Sequence, residues 1–282
     1  MTIAPGHAEL SVEAFLDNED SDDIRNPIHA SGYARLYGFR GALVGGVTVW
    51  GWATPAILEA IGDAWLDRGW SDFTFRRPTY PDDRLQVRVR PDADGADGAL
   101  AVTMTNQEGV DCVVANVGLG DAPWLGDLRM PERLAPVAAP DPKPALLLEQ
   151  APLGEDLLPM SVPFSVEDAH AYIRLSQRTD DRRFTGGRPR LHPGWIAGRV
   201  EDLLRHNYAL PSSMHTASRV QHLAPAEAGQ TLTVAARCID AYERKGHHMG
   251  VFDCVVLAED GTPLAQMRHT TIFRIALPAA RG

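Results

Sequence analysis

The sequence predicts an α+β protein built of two similar lobes in tandem. Three observations carry that expectation. A long apolar helical segment is followed by four strand-like runs in the first half, the same order recurs in the second half, and a proline-rich stretch separates them. At 282 residues the chain suits two units of roughly 100–150 residues each. The expected division is 1–122 for the first lobe, 123–159 for the linker and 160–282 for a divergent second lobe.

Each element has a local reason. Residues 41–67 are apolar and low in charge, and Ile57, Leu58, Ile61, Trp65 and Leu66 recur at helical spacing, which predicts a buried central helix. Pro55 lacks an amide proton and kinks or restarts it, and Gly69 ends it. Runs at 70–77, 84–90, 99–106 and 111–119 are separated by turn-forming residues, and Leu85, Val87 and Val89 alternate as on a half-buried strand. Seven prolines between 123 and 152 predict an extended, semi-rigid linker. The second half reads as a strand at 162–164, helices at 166–176 and 192–205, and strands at 214–223, 231–241, 250–258 and 263–275. A shift of 147 residues superposes Pro78 on Pro225, Leu85 on Leu232 and Val87 on Val234, and places Gly45-Gly46 on His192-Pro193. Together these matches point to an internal duplication.

Composition excludes several classes. A formal net charge of −10 opposes binding to nucleic acid, whose affinity comes largely from Lys and Arg neutralising phosphates. An anionic small molecule needs only a local basic patch, such as Arg76, Arg77, Arg88 and Arg90, although these side chains equally suit the solvated faces of two strands. Cys112, Cys238 and Cys254 are odd in number and lie in apolar runs, so they read as reduced core residues. No signal peptide and no apolar run of about 20 residues is present, so the expectation is a cytoplasmic protein that does not enter a membrane.

The chemistry concentrates in NPIHASGYARLYGFRGALVGGVTVWG, residues 26–51. This stretch resembles the hydratase segment of MaoC-like (R)-specific enoyl-thioester hydratases, in which an Asn-Pro-Ile-His turn precedes a short helix, a Gly-Phe-x-Gly turn and a central helix. FTFRRPTYPDDRLQVRV, residues 73–89, is similar to the strand that follows, and LHPGWIAGRVEDLL with MHTASRVQHLAPAEAGQTLTV is similar to the partner lobe of tandem members. The resemblance implies a double hot dog, two antiparallel sheets each wrapped around a long helix. It implies reversible addition of water to a 2-enoyl thioester carried on coenzyme A or a carrier protein, with no cofactor, in a monomer or homodimer. His29 matches the family histidine that acts as acid or base, and imidazole titrates near neutrality. Asn26 matches the asparagine that shapes the turn. Gly46 is placed to offer a backbone N–H to the thioester oxygen, and Gly45, Val47 and Tyr33 are assigned with it to substrate binding.

One position departs from the family pattern. The family aspartate stands five residues before the histidine, where this chain has Ile24, which cannot exchange a proton. A shifted register would let Asp23 serve, and the other reading of Asp22 and Asp23 is a solvated acidic loop. Three functions follow in order: a hydratase or dehydratase, a related enzyme redirected to cyclisation or isomerisation, and a non-catalytic acyl-binding subunit. Outside the motif, His192 either faces substrate or caps the second central helix, and His215 and His222 read as structural. His247-His248 sit at a hairpin tip without the partners a metal site needs. No phosphate loop or dinucleotide fingerprint is present.

Overall fold

In the computed structural model, which describes residues 6–17, 25–93 and 98–278, the two halves share one antiparallel sheet. The first half contributes β1 (Ala8–Glu13), β2 (Gly69–Phe75), β3 (Arg84–Pro91), β4 (Leu100–Thr105) and β5 (Asp111–Leu119). The second contributes β6 (Met160–Phe164), β7 (Met214–His222), β8 (Gln230–Arg244), β9 (His247–Leu257) and β10 (Pro263–Arg274). The strand order is β1-β3-β4-β5-β2-β7-β10-β9-β8-β6. Read outward from the β2/β7 junction, both halves give the same order, which is the topology a duplication produces. In that junction Asp72 pairs with Arg219, which is its own counterpart under the 147-residue shift, and the pseudo-two-fold axis therefore passes through this pair. Arg219 Nε also donates to Asp72 Oδ2 at 2.9 Å.

The expected alternation buries Leu85, Val87 and Val89 on β3 and their counterparts Leu232 and Val234 on β8. β1 was not expected. It is short and lies at the sheet edge, where its Glu9 receives Arg90 at 3.0 Å.

The helices are α1 (Ser31–Leu36), α2 (Gly46–Gly51), α3 (Thr54–Ile61), α4 (Trp65–Arg68), α5 (Val166–Tyr172), α6 (Arg182–Thr185), α7 (Pro193–Ala197) and α8 (Arg199–Asn207). The single long helix expected over 41–67 is thus replaced by three short segments. Pro55 opens α3, where its missing N–H costs nothing, and Gly62 at φ +94° closes it. Gly69 belongs to β2. Helices α2 and α7 cross so closely that a Cβ on Gly194 would lie 2.7 Å from the Val47 carbonyl oxygen and 3.2 Å from the Gly51 Cα. This crossing joins the cores of the two lobes.

The proline-rich segment is docked rather than free. Trp124 and Leu128 pack with Trp70, and Met130 packs on Ala235 and Val255. These strand residues are out of step with Phe73, Val234 and Cys254 of the main core, so the segment covers the sheet face turned away from the helices. Asp253, fully buried there, accepts from the Arg129 N–H at 2.6 Å and from Arg268 Nε and Nη2 at 2.7 Å each. The three cysteines are free and buried. No helix among the described residues is long and apolar enough to cross a membrane.

Candidate active site

Asn26 is extended, and Pro27–His29 form one 3-10 turn in which proline again occupies a position needing no donor. The turn is fixed at its far side by the Leu43 N–H, which donates to the Ile28 carbonyl at 3.2 Å. His29 Nδ1 lies 2.6 Å from the Leu43 carbonyl oxygen. That oxygen can only accept, so Nδ1 carries the proton and Nε2 keeps its lone pair. Burial holds the imidazole below its usual pKa, the Leu43 contact opposes this and the Arg205 cation adds to it. The neutral form of the His29 imidazole is therefore favoured.

The ring faces a cavity of about 410 Å³ lined by both lobes. Asn26, Gly45, Gly46 and Val47 also line it. Gly45 caps α2, and a Cβ placed on it would sit 3.8 Å from His29 Cε1. Gly46 starts the helix, where backbone N–H groups have no intrahelical acceptor. A Cβ on Gly46 would come within 3.0 Å of the Phe75 ring, so only glycine leaves both the ring and the helix start in place. Tyr33 does not join this group. Its hydroxyl meets that of Tyr37 at 3.1 Å, and it is not among the residues lining the cavity, which sets it apart from the other residues expected to bind substrate. Asp23, with Asp22 and Ile24, lies outside the described residues.

Asn26 does more than shape its own turn. Its Nδ2 donates to the Ser213 carbonyl at 2.9 Å and approaches Ser213 Oγ at 3.3 Å, tying the motif to the residue before β7. Ser213 Oγ in turn donates to Glu201 on α8 and accepts from Arg205 Nη2 at 3.0 Å, while Arg205 Nε donates to Glu201 at 2.9 Å. Glu201 lines the cavity. Sequence reasoning missed it because RVEDLLRH reads as the charged face of an amphipathic helix, and nothing local marks which carboxylate turns inward.

The basic patch expected from sequence divides. Arg76 and Arg77 are exposed at the cavity, whereas Arg88 and Arg90 pair with Glu9 on β1. His215, expected to be structural, lines the cavity with His269, their rings 4.0 Å apart. His215 Nε2 lies 3.1 Å from the Ala217 carbonyl, and burial drives its pKa down to about 3. His247 also reaches the cavity, its Nδ1 accepting from the Ala276 N–H at 3.0 Å. His192 caps α7 by accepting from the Gly194 N–H at 3.2 Å and does not reach the cavity. No group of three metal-ligating side chains occurs among the described residues.

No protein-family model matches the chain. No curated protein matches it. Solved structures do. A MaoC domain protein from Chloroflexus aurantiacus, assigned as a dehydratase, is 15% identical over 88% of this chain and 87% of its own, with a TM-score of 0.62. A conserved hypothetical protein from Mycobacterium tuberculosis with a double hotdog fold is 16% identical over 88% and 86%, at 0.57. A protein from Lactobacillus plantarum assigned as an oleoyl thioesterase is 11% identical over 97% and 96%, at 0.52. At these identities the likeness is one of fold, and it agrees with the mirrored strand order at the β2/β7 junction: the chain is a double hot dog, similar in fold to MaoC-like dehydratases.

Proposed function

We infer that the chain is a lyase, a hydratase/dehydratase acting on an acyl thioester, with His29 as its base. The observation that carries this reading is the tautomer of His29: its one proton is committed to the Leu43 carbonyl, so the Nε2 lone pair is offered to the cavity beside the start of α2. In dehydration Nε2 takes the α-proton of a 3-hydroxyacyl thioester, and the Gly46 N–H steadies the charge that gathers on the thioester oxygen. Hydration is the reverse. Arg76 and Arg77, exposed where the cavity opens, suit the phosphates of coenzyme A or of a carrier protein's phosphopantetheine. The enzyme needs no cofactor and works in the cytoplasm as a monomer or homodimer.

The test is turnover of 2-enoyl-CoA esters of graded chain length, followed by loss of enoyl absorbance and by identification of the 3-hydroxyacyl product. His29→Ala should lower the rate by about 10²–10⁴-fold. Release of free thiol without hydration would instead make the chain a thioesterase. Ile24 in the family's aspartate position favours a second reading, cyclisation or isomerisation without net water, recognised by a product isomeric with the substrate.

A further inference from the structure

We propose that Glu201, on the central helix of the second lobe, is the acid of this site, giving a proton to the β-oxygen as it leaves and taking one from water in the reverse direction. The assignment rests on the hydratase/dehydratase reading above. It begins from the helix face. Gly198, Glu201 and Asp202 stand at i, i+3 and i+4 and all line the cavity that His29 faces. A Cβ on Gly198 would meet Val47 Cγ2 at 3.5 Å, so the start of α8 stands against the start of α2, and Glu201 follows one turn later. The hydrogen bonds Asn26–Ser213–Glu201 then join the carboxyl to the His29 turn across the lobe boundary.

The carboxyl is held and still available. Ser213 Oγ and Arg205 Nε both donate to Oε1, and Oε2 receives no hydrogen bond from the described residues. Nor is Oε2 among the buried side-chain atoms sealed off without a partner. Burial raises the pKa of Glu201 above the usual carboxylate range despite Arg205 beside it. That direction favours the protonated carboxyl, the form that an acid facing a neutral imidazole must take. Asp202, the other candidate, is engaged by Arg199 Nη1 at 2.5 Å.

In dehydration His29 Nε2 removes the α-proton, the C–H electron pair becomes the Cα=Cβ bond, and the Cβ–O bond breaks. The Glu201 O–H supplies the proton with which the oxygen leaves as water. The resulting imidazolium and carboxylate return to their starting states by proton transfer from His29 to Glu201 through that water.

The test compares two leaving groups. Glu201→Gln keeps an Oε1 acceptor for Ser213 and Arg205 and removes only the transferable proton. With a 3-hydroxyacyl-CoA it should lower kcat by about 10²–10⁴-fold. With a 3-chloroacyl-CoA, whose chloride leaves without a proton, it should keep wild-type turnover to within a few-fold, while His29→Ala loses both reactions. Equal losses on both substrates would mean that Glu201 only clamps Ser213, and would overturn the assignment. So would undiminished dehydration by Glu201→Gln, or a leaving-group-specific loss in Asp202→Asn instead. A wild-type protein that eliminates neither group would overturn the hydratase/dehydratase reading itself, and this assignment with it.

Discussion

Acid should unfold this protein at an unusually mild pH, because it buries neutral imidazoles. His192, His222 and His269 are each less than 5% exposed. Burial depresses the pKa of His192 to about 3, that of His222 to about 4 and that of His269 well below the ordinary value. In the unfolded chain each titrates near 6.5. A depressed folded pKa means that unfolding takes up protons, so the stabilisation is complete above about 6.5 and is lost as pH falls towards the folded values. Each group costs about 1.4 kcal/mol per pH unit in that window, and three together about 4 kcal/mol per unit. Against a total of about 5–15 kcal/mol for an ordinary domain, two units suffice to unfold a marginal one. His215 is only half-buried, unlike His269 beside it, so water reaches it and it adds less. Glu201 works in the opposite sense, since its raised pKa makes the folded state take up a proton first. The assay is denaturant unfolding from pH 7.5 to 5.0, with proton uptake read from the slope. About three protons per chain are expected below pH 6.5, and His222→Gln should remove about one. A free energy of unfolding that is flat between pH 6.5 and 5.0 would refute the reasoning.

Other perturbations test single contacts. Asp253→Ala strips the partner from Arg268 and the Arg129 N–H and should cost about 2–4 kcal/mol by urea unfolding, less than a fully enclosed ion pair because Arg268 keeps 22% side-chain exposure. The same variant should expose the 121–159 segment to limited proteolysis, and unchanged cleavage would show that Asp253 does not latch it. Gly46→Ala drives a methyl into the Phe75 ring and should lower kcat/KM, with partial recovery in Gly46→Ala/Phe75→Leu; a fully active Gly46→Ala would deny the close approach. A double-mutant cycle on Asp72 and Arg219, half-exposed at the pseudo-axis, should give only about 0.2–1 kcal/mol, and a larger coupling would mean that the junction is less solvated than its geometry implies.

Much of the fold was legible because hydrophobic alternation and the 147-residue shift are local signals. Leu85 and Leu232, or Gly45 and His192 as helix caps, fall where the duplication puts them. The restart at α3 was signalled by Pro55, whereas the break after Ile61 was not legible, because an apolar run has the same pattern whether the helix is continuous or interrupted. β1 escaped notice because a six-residue edge strand carries little periodicity. The docking of the proline-rich segment depends on a sheet face assembled from both lobes, which no window of sequence contains. The site divided in the same way. His29, Asn26 and Gly46 sit in a recognisable motif, whereas Glu201, Ser213 and His215 join them only through tertiary contact between lobes.

A duplication could provide two sites, yet the counterpart positions argue for one. Where the first lobe has Gly45 and Gly46, the second has His192 and Pro193. Proline has no N–H, so the helix start that can face a thioester oxygen in the first lobe has no donor at the same place in the second. His192 spends its ring on capping its own helix and packs against Phe184 at 4.7 Å, filling the space that Gly45 leaves open beside His29. The counterpart of Glu201 is Thr54, which is 1% exposed and offers no acid. On the proposed function the two lobes have therefore specialised, the first presenting His29 and the second turning the Glu201 face of its helix towards it. Calorimetric titration with a non-hydrolysable acyl-CoA thioether should give one equivalent bound per chain, reduced in affinity by Arg76→Ala/Arg77→Ala and unaffected by His192→Gln. Two equivalents of equal affinity would show that the second lobe retains a working pocket, and the specialisation argued from Pro193 and His192 would be wrong.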